Sequence, residues 1–593
     1  MYPHRKECVT LINKLTMHTF KELKKWAGKA GTSESACRIA IVGDTATQLL
    51  ATAVIGECNY RNIPVSLFEA EYNQVERQFL DPSSELRTYD ADFIVLFQST
   101  HKLGEHHSML PENEQAELAS QRLAFVETIC QDATFAGKKI ICMNYPEIDD
   151  AVFGSYANKV NSSLSWQTRS INMGLMQLAQ QYPNLFVCDL AALQNKLGRN
   201  MMFAANVYVS TEMVLSIEAL PWVASRITDI IAAVRGQFKK CLILDLDNTV
   251  WGGVIGDDGL EGIQLGHGLG IGKAFTEFQM WVKKLKQRGI IICVASKNNE
   301  DTAKEPFEKH PDMILKLDDI AVFMANWETK VDNIRTIQQI LNIGFDSMVF
   351  LDDNPFERNM VRENIPGITV PELPEDPGEY LEFLYGENLF ETASYSSTDK
   401  NRTKQYQVEA QRVSLQKTFA NEADFLKSLK MVSVVSGFTK FNTPRVAQLS
   451  QRSNQFNLRT VRYTEGDIET MSANEDTIGL SFTLEDKFGD NGLIAVVIMK
   501  RQDVDTLFVD TWFMSCRVLK RGMENFTLNT MVEQAREKGY RRIVGEYLPT
   551  AKNKMVESHY IGLGFTKLEG TETAQYVLDL DKYENRECFI ERK

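Results

Sequence analysis

No stretch of this chain is long and apolar enough to cross a membrane as a helix. The longest apolar runs, Leu493–Met499 and Ile290–Ala295, fall far below the ~18 residues that a span requires. The first thirty residues carry charge throughout (His4, Arg5, Lys6, Glu7, Lys14, Lys21, Lys24, Lys25) and lack a continuous apolar core, so no secretory leader is expected. The ten cysteines include no C-x-x-C pair. Without a leader they read as reduced, buried thiols of a cytoplasmic protein. Histidine is scarce: there are eight, with no H-x-x-x-H, and only His106 and His107 are close together, so a zinc site is not expected. Positive charge is in deficit as well. Lys plus Arg total 65 against 79 Asp plus Glu, a net charge of −14, which disfavours non-specific nucleic-acid binding. Internal repeats and long low-complexity tracts are also missing.

What remains is an ordinary globular balance, 44% apolar and 24% charged. At ~150 residues per domain, 593 residues suggest about four domains. Residues 7–30 read as an amphipathic helix, with Val9, Leu11, Ile12, Leu15, Phe20 and Leu23 near helical spacing. Strand-like runs then alternate with helix-like stretches. The expected strands are Arg38–Val42, Pro64–Phe68, Asp92–Phe97, Lys138–Met143 and Leu185–Cys188, with helices near 45–58, 116–132, 164–182 and 219–234. This βαβ alternation predicts a parallel sheet covered on both faces. A second alternating block has expected strands at Cys241–Leu244, Ile290–Ala295, Met313–Leu317 and Met348–Leu351, and the proline-rich piece 366–377 closes it. Residues 400–430 are charged and helical in pattern and suit a linker. From about 431 longer β-type runs (Thr477–Thr483, Leu493–Lys500, Thr506–Arg517) precede a helix at Gly522–Lys538, a strand at Arg542–Glu546 and a short helix at Lys552–Tyr560.

Chemistry concentrates in the middle block. Asp245-Leu246-Asp247-Asn248-Thr249 follows the apolar strand Cys241–Leu244, so two carboxylates at i and i+2 emerge at the carboxyl edge of a parallel sheet, where open α/β folds place ligands. Alone, such a pair reads as a helix-capping turn. Here Ser296 follows the next strand, Lys330 opens a helix-like segment, and Asp352-Asp353 follow the strand Met348–Leu351. A hydroxyl and an ammonium on phosphoryl oxygens, carboxylates on a hard cation and one carboxylate in line for attack make a phosphoryl-transfer set.

These residues resemble the haloacid dehalogenase (HAD) superfamily of phosphotransferases. The resemblance implies Asp245 as the nucleophile that forms an aspartyl-phosphate and Asp247 as the acid that protonates the leaving group and then activates water. It implies Thr249, Ser296 and Lys330 on the phosphoryl group. Mg²⁺ would be held by Asp245, the Asp247 carbonyl and Asp352, with Asp353 in support. Only a glycine-rich flap (Gly252, Gly253, Gly256, Gly259) and one helix (Lys273–Arg288) fit between Thr249 and Ile290, and only a helix and a strand between Ser296 and Lys330. No cap of domain size fits, so the site is expected to be open. His267 reads as a turn residue.

Beyond these motifs, LDLDNTVWGGVIG (244–256), VFLDDNPFER (349–358), QRSNQFNL (451–458), FGDNG (488–492) and SCR (515–517) resemble the FkbH-like family. That family implies removal of phosphate from a phosphoglyceryl unit taken from 1,3-bisphosphoglycerate, and loading of glycerate as a thioester on an acyl carrier protein. The last block resembles a GNAT-type acyltransferase, with Arg517, Lys520, Arg521 and Gly522 where that fold carries its phosphate-binding loop. Lys520 replaces a glycine there, which makes coenzyme A use doubtful and leaves a single-phosphate pantetheine arm. Tyr560 matches the residue that protonates a leaving thiolate, and Asn553 is placed with the thiol-binding set. Cys516, beside Arg517, Lys520 and Arg521, has neighbours that favour a thiolate able to accept an acyl group. Basic residues crowd this block (Arg517, Lys520, Arg521, Arg541, Arg542, Lys552, Lys554) and suggest a docking face for an acidic carrier. In the first block, Gly43-Asp44-Thr45 resembles the first motif of SGNH hydrolases, with Thr45 in the serine place. Residues 189–235 contain no histidine, so a triad is incomplete and an inactive relative is expected.

The expected fold class is α/β: a Rossmann-like SGNH-type domain (1–236), a HAD Rossmannoid domain without a large cap (237–390), a helical linker (391–430) and an α+β GNAT-like domain (431–593). The expected function is a cytoplasmic, Mg²⁺-dependent phosphatase and acyltransferase. Its partners are a phosphorylated acyl donor and an acyl carrier protein, with neither nucleic acid nor membrane. Two other readings stay open: a phosphatase on a small phosphate ester fused to an amine acetyltransferase, and a non-catalytic docking scaffold for carrier proteins.

Overall fold

The computed structural model describes residues 18–29, 36–395, 402–416, 418–453, 455–515, 518–550 and 552–593. Half of the expected helix at 7–30 therefore falls outside the described residues; the described part holds the helix Phe20–Ala27, capped by Thr19 and Glu22. The chain forms two compact units, Met1–Ala233 and Val234–Lys593.

The first unit holds five strands: β1 Cys37–Gly43, β2 Val65–Glu69, β3 Phe93–Phe97, β4 Lys139–Met143 and β5 Leu185–Cys188. All pair in parallel in the order β2-β1-β3-β4-β5. Buried runs such as Phe93-Ile94-Val95-Leu96-Phe97 are what a strand covered on both faces demands. The order reverses direction between β1 and β3. At that switch point both carboxylate oxygens of Asp44 accept the Ser99 backbone N–H at 2.9 Å, and burial pushes the Asp44 carboxyl up to about 7.

The second unit holds two sheets. The first is parallel, in the order β8-β7-β6-β9, built from β6 Cys241–Leu244, β7 Ile291–Ser296, β8 Val322–Ala325 and β9 Met348–Leu351. The strand expected at Met313–Leu317 is a correction. Met313 and Leu315 are buried, but the backbone N–H groups of Ile314 and Leu315 bond the Gln279 side chain at 2.9 and 3.1 Å instead of a neighbouring strand. The edge strand is Val322–Ala325. The segment expected as a linker contains the helix Arg402–Gln416, whose Tyr406 joins the apolar core of this parallel sheet. Arg412, farther along that helix, is buried against Asp486 in the next sheet at 2.8 Å.

The second sheet is mixed, with nine strands among the described residues, and opens with the short strands β10 Met431–Ser433 and β11 Val435–Ser436. Its centre is the antiparallel meander β12 Thr477–Asp486, β13 Gly489–Arg501 and β14 Thr506–Met514. β14 then pairs in parallel with β15 Arg542–Tyr547, but only over Thr506–Val509. Beyond that point the two strands part, and residues 456–458 fill the gap. Met514 N–H donates to the Phe456 carbonyl (3.1 Å), Leu458 N–H to Trp512 (3.3 Å), and Leu548 N–H to Leu458 (2.9 Å). The helix Met523–Glu537 packs its buried face (Met523, Leu528, Met531, Val532) into the core of this sheet.

Candidate active site

Three of the four short strands of the parallel sheet deliver polar side chains at their carboxyl ends. Directly after β6, Asp245 N–H donates to the Leu351 carbonyl at 3.0 Å, which extends the sheet by one rung and fixes the carboxylate at its edge. The chain then turns through Asn248, whose φ of 54° is the left-handed conformation that asparagine tolerates. The Asn248 side chain accepts the Gly253 N–H at 2.9 Å, closing the turn. Lys330 opens the helix Lys330–Leu341, capped by Thr329, and is buried.

The buried Lys330 ammonium lies 2.9 Å from Asp245 Oδ2 and 2.5 Å from Asp352 Oδ2. Burial works against this charge, yet the two carboxylates outweigh it and hold the lysine above its ordinary value. Oxygen atoms of Asp245, Asp352 and Asp353 lie within 4.8 Å of one another. Thr249 positions the third acid: its hydroxyl accepts the Asp353 N–H at 3.1 Å and lies 3.4 Å from Asp353 Oδ1. Burial, then repulsion from Asp245, pushes Asp352 up to about 7 against the pull of Lys330; the same two causes raise Asp353. Three carboxylates face one ammonium, a surplus of two negative charges on hard oxygen donors. That donor set fits a divalent cation of the Mg²⁺ kind.

Asp247 stands apart from that set. Its Oδ1 accepts from Trp251 Nε1 (2.9 Å) and the Ile255 N–H (3.0 Å), and its Oδ2 from Asn298 Nδ2 (2.9 Å). Its carboxylate is thus turned towards the flap and β7, which leaves to the metal the carbonyl that the resemblance assigns to it. Asn298 also donates to Ser296 Oγ at 3.2 Å, so one amide ties the hydroxyl to the acid/base candidate. The sequence reading missed Asn298, although its place two residues past a strand end was a signal. It missed Arg358 too, whose guanidinium holds the carbonyls of Asp352 (2.9 Å) and Asp353 (2.7 Å). No domain-sized cap intervenes. The flap is the segment closed by the Gly252–Gln264 bridge and holding the helix Ile255–Gly262, and the exposed apolar residues Val254, Leu269, Trp327 and Phe356 follow the ends of β6, β8 and β9.

The thiol-transfer set expected in the mixed sheet is not brought together in this way. Cys516 and Arg517 lie outside the described residues. Arg521 is buried in an ion cluster with Glu409 and Asp486, so its charge is spent inside the fold. Lys520 adopts φ 61°, and its N–H donates to Glu524 at 3.2 Å; with Gly522 it borders a cleft that also holds Glu422. Carboxylates thus stand where a phosphate was expected. Asn553 is fully buried and clamps residues 457 and 548 by donating to both carbonyls (3.0 and 2.9 Å). Tyr560 is a core residue, stacked on Tyr576, its hydroxyl without a partner and its ionisation opposed by burial. A Cβ at Gly545 would stand 2.2 Å from that ring, so glycine alone admits it. The basic crowd is largely neutralised too: Arg541 pairs with Asp581, Arg542 with Asp505 and Lys552 with Asp346. His267 is exposed.

The family described as FkbH, N-terminal domain, matches residues 38–232. A solved structure of the N-terminal part of the protein BF1531 from Bacteroides fragilis, containing a phosphatase domain complexed with Mg, is 62% identical. That likeness covers 64% of this chain and all of that one, with a TM-score of 0.62. The GNAT domain of S. lividans PAT is 23% identical over 24% of this chain and 89% of its own, with a TM-score of 0.20. The ribosomal-protein-S18-alanine N-acetyltransferase from Escherichia coli is 15% identical over 25% and 94%, also at 0.20. A comparison with curated proteins found no match. The parallel sheet and its acids define an enzyme with a phosphatase domain of the HAD type. The chain belongs to the FkbH-like family.

Proposed function

We propose that this protein is a Mg²⁺-dependent phosphatase and acyltransferase acting through Asp245. In that reading a phosphoglyceryl unit from 1,3-bisphosphoglycerate loses its phosphate and glycerate is loaded on an acyl carrier protein in the cytoplasm. The observation that carries the phosphoryl step is Lys330, held between Asp245 and Asp352 with Asp353 beside them. Asp245, Asp352 and Asp353 would hold the cation, which supplies charge neutralisation for an incoming phosphoryl group. Lys330 and Ser296 bind phosphoryl oxygens and orient phosphorus in line with Asp245 Oδ. Attack by Asp245 forms the aspartyl-phosphate while the Asp247 carboxyl protonates the leaving oxygen. Asp247 then takes a proton from water, which attacks phosphorus, breaks the acyl phosphate and restores Asp245. Asn298, Trp251 and the Ile255 N–H hold Asp247 for both proton transfers.

The absence of a domain-sized cap and the exposed Val254, Leu269, Trp327 and Phe356 support a substrate carried on another protein. Amine acetylation from coenzyme A has less support, because Arg521 is committed to Asp486 and Glu409 and Glu524 caps the Lys520 N–H. The first unit is proposed to position partners rather than hydrolyse. Thr45 is fully buried, and His101 lies between Phe203 and Tyr208, where burial pushes it down to about 4. The test is the intact mass of a carrier protein after incubation with the enzyme, Mg²⁺ and a source of 1,3-bisphosphoglycerate. A glyceryl gain lost in Asp245→Asn and in Cys516→Ala supports the full reading. Phosphate release without carrier modification reduces it to a phosphatase, and no turnover at all overturns it.

A further inference from the structure

Lys297 directly follows β7, next to Ser296, and its ammonium lies 2.5 Å from Glu357 Oε1. Glu357 stands in the first turn of the helix Pro355–Asn364, which follows β9. In the order β8-β7-β6-β9, both β7 and β9 are neighbours of β6. A bridge from the end of one to the helix after the other therefore spans β6, the strand that presents Asp245. Neither residue belongs to the acid set around Lys330, and neither takes part in the proposed phosphoryl step. Of the two residues that follow each strand of this sheet (245–246, 297–298, 326–327 and 352–353), Lys297 is the one cation.

The leaving group of a phosphate ester emerges beside this lysine. The acid that protonates it in the proposed step is Asp247, whose Oδ2 accepts from Asn298 Nδ2 at 2.9 Å. Asn298 follows Lys297 in the chain and also donates to the hydroxyl of Ser296, which precedes it. The residue that binds the phosphoryl oxygens and the residue that holds the acid thus flank position 297 on either side. The lysine is not used up by its partner. An ammonium has three N–H donors, of which Glu357 Oε1 takes one. The lysine side chain is 40% exposed against 11% for Glu357, so the open side of the pair is the lysine's. A pair this open to water is weakly held, and an incoming anion can share or take the ammonium.

We propose that Lys297 sets the charge preference of the site. It favours a phosphate ester whose leaving group carries a second anionic group, and Glu357 holds the ammonium beside the acid until that group arrives. This inference rests on the phosphoryl reading. The scissile phosphoryl group still meets Lys330 and Ser296, Asp245 still attacks phosphorus, and the P–O bond still breaks with the Asp247 proton passing to the leaving oxygen. Lys297 touches the leaving group away from phosphorus, so its effect falls on KM more than on kcat.

The test is steady-state hydrolysis of phenyl phosphate and of 3-carboxyphenyl phosphate by the full-length protein with Mg²⁺. The meta carboxylate leaves the acidity of the phenol almost unchanged, so a difference between the two esters reports contact and not leaving-group strength. The parent is expected to favour the carboxylated ester in kcat/KM. Lys297→Met is expected to lower that preference about tenfold, through KM, and Lys297→Arg to recover part of it. Glu357→Gln leaves the lysine an acceptor and removes the competing charge, so the preference should rise. If Lys297→Met fails to fold, Lys297→Gln decides by the same ratio. The inference is overturned if the parent shows no preference, if Lys297→Met leaves it unchanged, or if Lys297→Met and Glu357→Gln lower it alike, as the loss of a mere clamp between β7 and the helix would. Turnover that survives Asp245→Asn, or no turnover of either ester, overturns the phosphoryl reading and this inference with it. Turnover that is lost in Asp245→Asn, with a ratio that Lys297→Met does not move, overturns this inference alone.

Discussion

Replacing Lys330 by methionine isolates the electrostatics of the phosphoryl site. Methionine keeps the unbranched stem and removes the charge, leaving Asp245, Asp352 and Asp353 facing one another without a cation. Lys330 is only 4% exposed and Asp352 fully buried, so water cannot screen the repulsion. Stripping one partner from a buried ion pair costs roughly 3–5 kcal/mol. In a unit of this size that corresponds to a fall in melting temperature of about 4–7 °C when divalent ions are chelated. Added Mg²⁺ returns positive charge to the same three oxygens, so the variant should gain more stability from the ion than the parent does. Phosphatase turnover should fall by roughly 10²–10³-fold, the usual loss when a charged donor is removed from a developing oxyanion. The assay is thermal unfolding of the full chain with EDTA and with Mg²⁺. Hydrogen exchange of peptides over 241–251 and 348–354 would assign the change to this sheet. A variant that melts with the parent in EDTA, or that gains no more from Mg²⁺, would refute the argument that Lys330 offsets the acids.

Three further outcomes follow from the geometry. Asn298→Ala should lower kcat more than KM and alter the pH–rate profile, because it frees the carboxylate oxygen of Asp247 that carries the proton; an unchanged profile would make Asn298 merely structural. His559, half-buried against Phe456, Trp512 and Tyr560 with its Nε2 shut off from water, is pushed down to about 3 by desolvation, so the unfolded chain takes up a proton below pH 6.5 that the folded one refuses. Stability is therefore full above that pH and lost as pH falls, by about 2 kcal/mol at pH 5, and His559→Phe should flatten this slope in urea titrations at pH 7.5 and 5.0. Gly545→Ala should destabilise the mixed sheet by ~1–3 kcal/mol or more through its clash with the Tyr560 ring, and Tyr560→Leu in the same chain should recover part of that loss.

The parallel strands were legible because a strand covered on both faces is a short, nearly unbroken apolar run, and Cys241–Leu244 and Met348–Leu351 show this without interruption. Their polar successors were legible for the same reason: a charged residue just after such a run has nowhere to go but the sheet edge. Met313–Leu317 failed that rule because its backbone is satisfied by a side-chain amide 35 residues upstream of Ile314, which no local pattern reveals. The helix Arg402–Gln416 looked like a linker because most of its residues are polar, and its buried Tyr406 and Arg412 find their partners in distant parts of the chain. The loop at Lys520–Gly522 carried the spacing of a phosphate cradle, yet the partners that decide its chemistry, Glu409 and Asp486, lie on other elements. Motifs made of backbone periodicity survive translation into three dimensions better than motifs whose meaning rests on distant counter-charges.

The three residues wedged between β14 and β15 make that sheet its own competitor. An extended guest seeking the same main-chain groups must first evict Phe456–Leu458 and break the bonds they make with Trp512, Met514 and Leu548. Entry is then a matter of waiting for the wedge to lift, so the arrival rate of such a guest would level off at high concentration instead of rising with it.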